Sequence, residues 1–348
     1  LPASYQANDC QPYNQTTLSM KNLTTVFFFT LLFAPTTIAF AQTPIRHFIF
    51  FSQHRDAITN PDFYLNEGIV GAQITYLWRV LEPTKNIYDF TAIEADLTFL
   101  QSKGKKLFIQ IQDVTFDSTR YAVPKYILTD TNYHGGVNSQ YDFTATGEPF
   151  KAGWVARRWD GAVAARYHQL LIKLAQQFDG SIEGINLPET SIEFPENLWP
   201  AGYTISRYVE AVKKNMLVLS TNFKRSVPLQ YANFMPGDSA INLKNLYDYA
   251  SKIKVGMGGP DIKVYRKFQM ENSYPLIRNM AGIVPTGMAV QDGNYDVINP
   301  TTGNKVTIPE ILDFAKNYLQ LNYVFWCTEE PYFTTQVLPL LKSIKNRL

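Results

Sequence analysis

The chain has 348 residues, of which 45% are hydrophobic and 18% charged, and its formal net charge is +2. That length can bury one core the size of a barrel of roughly 250–300 residues, so a second domain is not required. The small charge, with no basic run interleaved with aromatics, excludes nucleic acid as a main partner.

In chain order, Met20 to Ala41 comes first. Lys21 supplies positive charge, Val26 to Ala34 form an apolar core, and Ala39-Phe40-Ala41 offers small residues before Gln42, the pattern of a cleaved secretory signal. The apolar run falls short of the ~20 residues of a membrane span and Pro35 interrupts it, so no stable membrane anchor is expected after cleavage. The expectation is a secreted or periplasmic protein built from residues 42–348, with residues 1–19 upstream of the true start. Cys10 precedes this signal and leaves Cys327 alone in the mature chain, where one cysteine makes neither a disulfide framework nor a thiolate metal site. Cys327 closes the apolar run Tyr323-Val324-Phe325-Trp326 and reads as a buried small residue.

Short β-branched and aromatic runs then alternate with stretches of helical period. The expected strands are His47 to Phe51, Val70 to Trp78, Lys106 to Gln112, Ile182 to Leu187, Pro228 to Asn233, Ile253 to Met257, Ile283 to Val290 and Tyr323 to Cys327. Amphipathic segments lie between most of them, among them Ala92 to Ser102, Trp159 to Phe178, Ile205 to Thr221 and Pro309 to Leu319. Eight strands without a glycine-rich phosphate loop after the first predict a single (β/α)8 TIM barrel rather than a doubly wound open sheet. One connection is long: from Gln112 to about Arg157 the chain shows little periodicity and carries Tyr121, Tyr126, Tyr133, Tyr141, Phe143 and Trp154. It leaves the C-terminal end of the third strand, the active-site face of such a barrel, and is expected to wall the cleft.

The fourth strand, Ile182 to Leu187, ends in Pro188-Glu189. A carboxylate at a strand's C-terminal end stands where this fold displays catalytic groups, and an apolar setting raises a carboxyl pKa toward the working pH of a general acid.

Val70 to Phe90 contains Trp78-Arg79-Val80-Leu81-Glu82-Pro83 followed by Tyr88-Asp89-Phe90. This W-x-x-x-E-P…Y-D-F pattern resembles the second-strand region of TIM-barrel glycoside hydrolases of the large retaining clan that includes β-galactosidases, xylanases and cellulases. The resemblance implies Glu189 as acid/base at the end of strand four, and Trp326 as the strand-eight tryptophan that floors the sugar site. Two positions depart from the clan's pattern. Pro188 precedes Glu189 where the clan has asparagine, with Asn186 three positions back, and strand seven runs Gly287-Met288-Ala289-Val290-Gln291-Asp292.

Glycoside hydrolysis usually uses two carboxyl groups, one protonated to help the leaving group and one ionised to attack or to activate water. Asp292 is the expected partner of Glu189, with Asp261, Glu329, Glu330 and Asp113 as competing strand-end acids. Expected substrate contacts are Trp78, Arg79, Gln112, Asp113, Trp159, Asn186, Asn233, Gln291, Trp326 and Glu330; Arg79 could equally pair with Glu82. Gln110 and Gln112 place two amides on one strand face, which calls for a polar network or ligand if that face points inward. The four histidines lack zinc-site spacing and no G-x-S-x-G elbow is present, so neither a metal nor any other cofactor is implied. The reading is an exported glycoside hydrolase acting on an oligo- or polysaccharide; its alternative is a catalytically silent barrel that binds carbohydrate.

Overall fold

A computed structural model describes residues 44–144 and 146–344. The expected signal segment, 20–41, lies outside the described residues. The strands are β1 (Arg46–Phe50), β2 (Gly71–Leu77) and β3 (Lys106–Gln112), then β4 (Val114–Thr115), β5 (Val137–Phe143) and β6 (Pro149–Ala156). They continue with β7 (Gly184–Leu187), β8 (Val227–Tyr231), β9 (Gly256–Gly259), β10 (Thr286–Val290) and β11 (Tyr323–Cys327). Eight of them close a parallel barrel in the order β1-β11-β10-β9-β8-β7-β3-β2, the (β/α)8 fold expected from the alternation.

The bounds of β3 and β11 match expectation to the residue, whereas β9 begins three residues late because Ile253 ends the preceding helix, Ser239–Ile253. The strand itself reads Gly-Met-Gly-Gly, which carries almost no β propensity. Close packing explains the glycine at its centre: a Cβ on Gly258 would lie 1.6 Å from the carbonyl oxygen of Gly287 on β10.

Alternation along the strands sorts side chains into two layers. Phe48, Phe108, Leu229, Tyr231, Tyr323 and Phe325 fill the barrel interior. Phe108 meets Phe325 edge-on, with ring centroids 5.0 Å apart. Ile49, Ile74, Ile109, Ile185 and Trp326 face outward into the layer shared with the helices. Helix Gly161–Phe178 covers part of that layer with Val163, Tyr167, Leu170, Leu171 and Leu174, a stripe of helical period. Asp160 starts this helix by accepting from the main-chain N–H groups of Ala162 and Val163.

The N-terminal end of the barrel is closed by Glu183, just before β7. Its carboxylate takes ion pairs from Arg46 and from Lys106 (3.3 Å) and the hydroxyl of Tyr323 (2.7 Å). At the opposite end, the long connection after β3 folds into an antiparallel sheet, β4-β6-β5. Among the described residues no helix is long and apolar enough to cross a membrane.

Candidate active site

Glu189 follows β7 at the C-terminal face of the barrel. Its Oε1 is buried and has no hydrogen-bond partner among the described residues, while the carboxyl accepts the main-chain N–H of Asn233. Burial, and after it the charge of Asp261, push its pKa up to about 8; the Asn233 N–H and the Lys263 ammonium act in the opposite direction. A carboxyl in this state holds its proton at neutral pH and can donate it.

Around it, polar side chains face inward and remain unsatisfied. Among the described residues, both amide atoms of Asn186 and of Asn233 are buried without partners, as is Oε1 of Gln73, whose Nε2 donates to the Tyr231 hydroxyl at 3.2 Å. Asn233 is packed so closely against β9 that a Cβ on Gly259 would lie 2.1 Å from its Oδ1. Gln110 accepts from Thr75 Oγ1 (2.9 Å) and from Gln112 Nε2 (3.4 Å), so the amide face of β3 points inward. Folded proteins satisfy most buried polar atoms, and a group of such atoms at one strand-end face is available to water or another polar ligand.

The segment carrying Glu189 is braced from behind. Asp113 forms a bidentate pair with Arg158 (2.8 and 2.6 Å), and Arg158 also donates to the Tyr208 hydroxyl at 2.7 Å. Tyr208 in turn donates to the Thr190 carbonyl at 2.8 Å, and Gln230 Nε2 donates to the Pro188 carbonyl at 2.7 Å. Asp113 is therefore committed to a buried ion pair, not to substrate. Arg158, Tyr208 and Gln230 were not foreseen, although Arg158 adjoins the expected Trp159.

Several other expected contacts are corrected. Trp78 has no exposed surface; it donates to Glu82 Oε2 at 2.9 Å and packs on Tyr167, outside the barrel. Glu82 pairs with Arg166 and accepts from Asn86 N, so the W-x-x-x-E segment is a structural latch. Arg79 is exposed and donates to the Tyr121 carbonyl at 3.4 Å rather than to Glu82. Trp326 is fully buried and donates to Nδ1 of His47 at 3.2 Å, one residue out of phase with the inward-facing Phe325. Glu330 is taken up by the main chain and hydroxyl of Thr334 at the start of the last helical segment. Trp159 packs edge-on against Phe194 and Tyr203, with its indole N–H buried and unpartnered.

A cavity of about 500 Å³ opens beside Glu189's end of the barrel, lined by Gln112, Thr115, Phe116, Gln291, Asp292 and Glu329 among others. Thr115 and Phe116 come from the long connection, which thus walls one side. Asp292 is exposed and grouped with Cys327 and Glu329, whose ligand-type atoms all lie within 4.8 Å of one another. Among the described residues this trio is the grouping that could hold a cation, yet burial pushes the Cys327 thiol up to about 12, which disfavours the thiolate a metal needs. The acid whose charge acts on Glu189 is not Asp292 but Asp261, which accepts from Asn294 Nδ2 at 2.8 Å and lies 3.7 Å from the Lys263 ammonium.

No protein-family model matches the chain, and no curated protein matches its sequence. Solved structures do match in fold. The catalytic domain of a β-amylase from Paenibacillus polymyxa is 10% identical, with a TM-score of 0.53 over 81% of this chain and 92% of that one. A β-galactosidase from the haloarchaeon Halorubrum lacusprofundi is 10% identical at 0.53, over 81% of this chain and 52% of that one, so the chain spans about half its length. Endo-glycoceramidase II from Rhodococcus sp., solved with an iminocyclitol, is 10% identical at 0.51, over 86% of this chain and 78% of that one. The chain is thus similar to glycosidases in its architecture, a (β/α)8 barrel of the kind they share.

Proposed function

We propose that the protein is an exported glycoside hydrolase whose general acid is Glu189. The observation that carries this reading is a strand-end carboxyl with a buried, unpartnered oxygen and a pKa near 8, set among the orphaned amides of Asn186 and Asn233. In the proposed reaction Glu189 gives its proton to the glycosidic oxygen as the bond to the anomeric carbon breaks. Asp261, the carboxylate whose field reaches Glu189, takes the second role and stabilises the positive charge that develops on the sugar, until water bonds to the anomeric carbon and returns a proton to Glu189. Asn186 and Asn233 offer donors and acceptors to sugar hydroxyls. The glycosidases that share the fold support the assignment to glycosidic bonds rather than to another acid-catalysed hydrolysis, and export rests on the segment 20–41.

The test is turnover of a panel of aryl glycosides and polysaccharides by residues 42–348, with Glu189→Gln and Asp261→Asn alongside. The expected outcome is hydrolysis abolished by the first substitution and severely reduced by the second. Turnover indifferent to Glu189→Gln would remove the proposal, and glycan binding without turnover by the native protein would leave a silent carbohydrate-binding barrel in its place.

A further inference from the structure

The loop that follows β9 carries more than Asp261. Lys263, Tyr265, Arg266 and Phe268 line an open groove of about 760 Å³, whose far side includes Gly293 and Ile298. Groove residues bond to the acids of the strand-end face: Lys263 pairs with Asp261, and Gly293, next to Asp292, donates its N–H to Glu329 on the wall of the neighbouring cavity at 2.9 Å. Phe268 stacks on Phe234 at 5.0 Å and an interplanar angle of 20°, and Phe234 directly follows Asn233. An aromatic path therefore runs from the residue that hydrogen-bonds Glu189 out into the groove.

Two features single out the middle of this path. Tyr265 has φ +68°, a left-handed backbone that a bulky residue rarely adopts, and its ring stands 43% exposed between this groove and a second of about 570 Å³. Such strain persists where surrounding structure or function requires it. Arg266 is exposed and forms no ion pair among the described residues, whereas Lys267 is matched with Glu271 (3.9 Å) and Asp296 with Lys305 (2.6 Å). The groove thus combines an exposed tyrosyl face, suited to stack on a sugar ring, with an uncommitted guanidinium, which binds carboxylate or sulfate in a two-point geometry.

We propose that this groove is a subsite for a negatively charged sugar, with Tyr265 as its platform and Arg266 as its anion-recognising group, so that the substrate is an acidic polysaccharide rather than a neutral one. The proposal rests on the reading of Glu189 and Asp261 as the glycosidase centre and extends it along the chain of the substrate.

The test is calorimetric titration of the Glu189→Gln protein with three hexasaccharides: galacturonate, a sulfated galactan and neutral cellohexaose. At least one anionic hexamer is expected to bind ten-fold or more tightly than the neutral one, the tighter of the two identifying carboxylate or sulfate as the recognised group. Arg266→Gln should remove that preference, and Tyr265→Ala should weaken the preferred hexamer several-fold; both residues are exposed, so neither variant disturbs the core. Equal binding of all three hexamers, no binding of any, or an anionic preference that survives Arg266→Gln would overturn the subsite. Hydrolysis of single-sugar aryl glycosides by the native protein, and its loss in Glu189→Gln, separates that failure from failure of the catalytic reading.

Discussion

Glu183 and Glu189 lie six residues apart, one before and one after the same short strand, and they are treated in opposite ways. At the N-terminal end Glu183 is held by Arg46, Lys106 and the Tyr323 hydroxyl. At the C-terminal end Glu189 keeps a buried oxygen without a partner, receives one main-chain N–H, and feels the charge of Asp261. The first arrangement stabilises an ion; the second stabilises a proton. Under the proposed function, conformational stability and proton transfer fall to opposite ends of one barrel, the division expected where loops at one face carry function and the other face holds the strands in register.

The widest difference should be in turnover. Glu189→Gln is expected to lower kcat by about 10²–10⁴-fold, the contribution of a general acid, while Glu183→Gln should leave activity per folded molecule intact. Steady-state kinetics on both variants check this, and equal losses would erase the distinction. The converse holds for stability. Glu183→Gln leaves Arg46 and Lys106 without their counter-charge and should cost about 2 kcal/mol in urea unfolding, less than a fully buried pair because both cations are partly exposed.

The pH dependence sharpens the same contrast. Glu189 binds its proton more tightly in the folded chain, where its pKa is about 8, than in the unfolded chain, where a glutamate titrates near 4.5. Between these values the unfolded state has released the proton and the folded state has not, so this group's contribution to stability is intact below pH 4.5 and is lost as pH rises toward 8. Glu189→Gln removes that slope. The variant should gain on the parent by about 1–3 kcal/mol between pH 5 and pH 9. Parallel stability profiles across that range would mean that the Glu189 carboxyl is not held protonated.

The barrel was legible because its signal is redundant: eight apolar runs at helix-separated intervals tolerate an error of a few residues in any one. Even β9, whose glycines have no strand preference, was found through its flanks. The site was legible only in part, because a side chain's role there turns on parity and on partners distant in sequence. Asn186, Asn233 and Glu189 could be named from their positions at strand ends. Asp113 could be named too, but its engagement by Arg158, 45 residues on, depends on how the long connection folds back. Trp78 and Glu82 form a pattern by spacing alone, and spacing does not say which side of the barrel wall they occupy. Asp261 rather than Asp292 acts on Glu189 for the same reason: both are strand-end acids, and their surroundings differ only after the loops have closed.

Trp326 gives the smallest effect and the most direct test of parity. In a strand, neighbouring residues face opposite sides, so a shift of one position exchanges the cleft for the outer layer. Phe325 is inside with Phe48 and Phe108; Trp326 is outside, its indole N–H directed at His47. That bond needs a neutral imidazole with Nδ1 as acceptor, and burial lowers the His47 pKa to about 4, which keeps the ring neutral at physiological pH. Trp326→Phe preserves most of the apolar contact but removes the donor, leaving Nδ1 buried and unpaired. The expected cost is about 1 kcal/mol of stability, seen as a lower urea midpoint, with kcat and KM unchanged. A sugar-site tryptophan would behave in the reverse manner, losing substrate affinity while the fold stayed as stable as before.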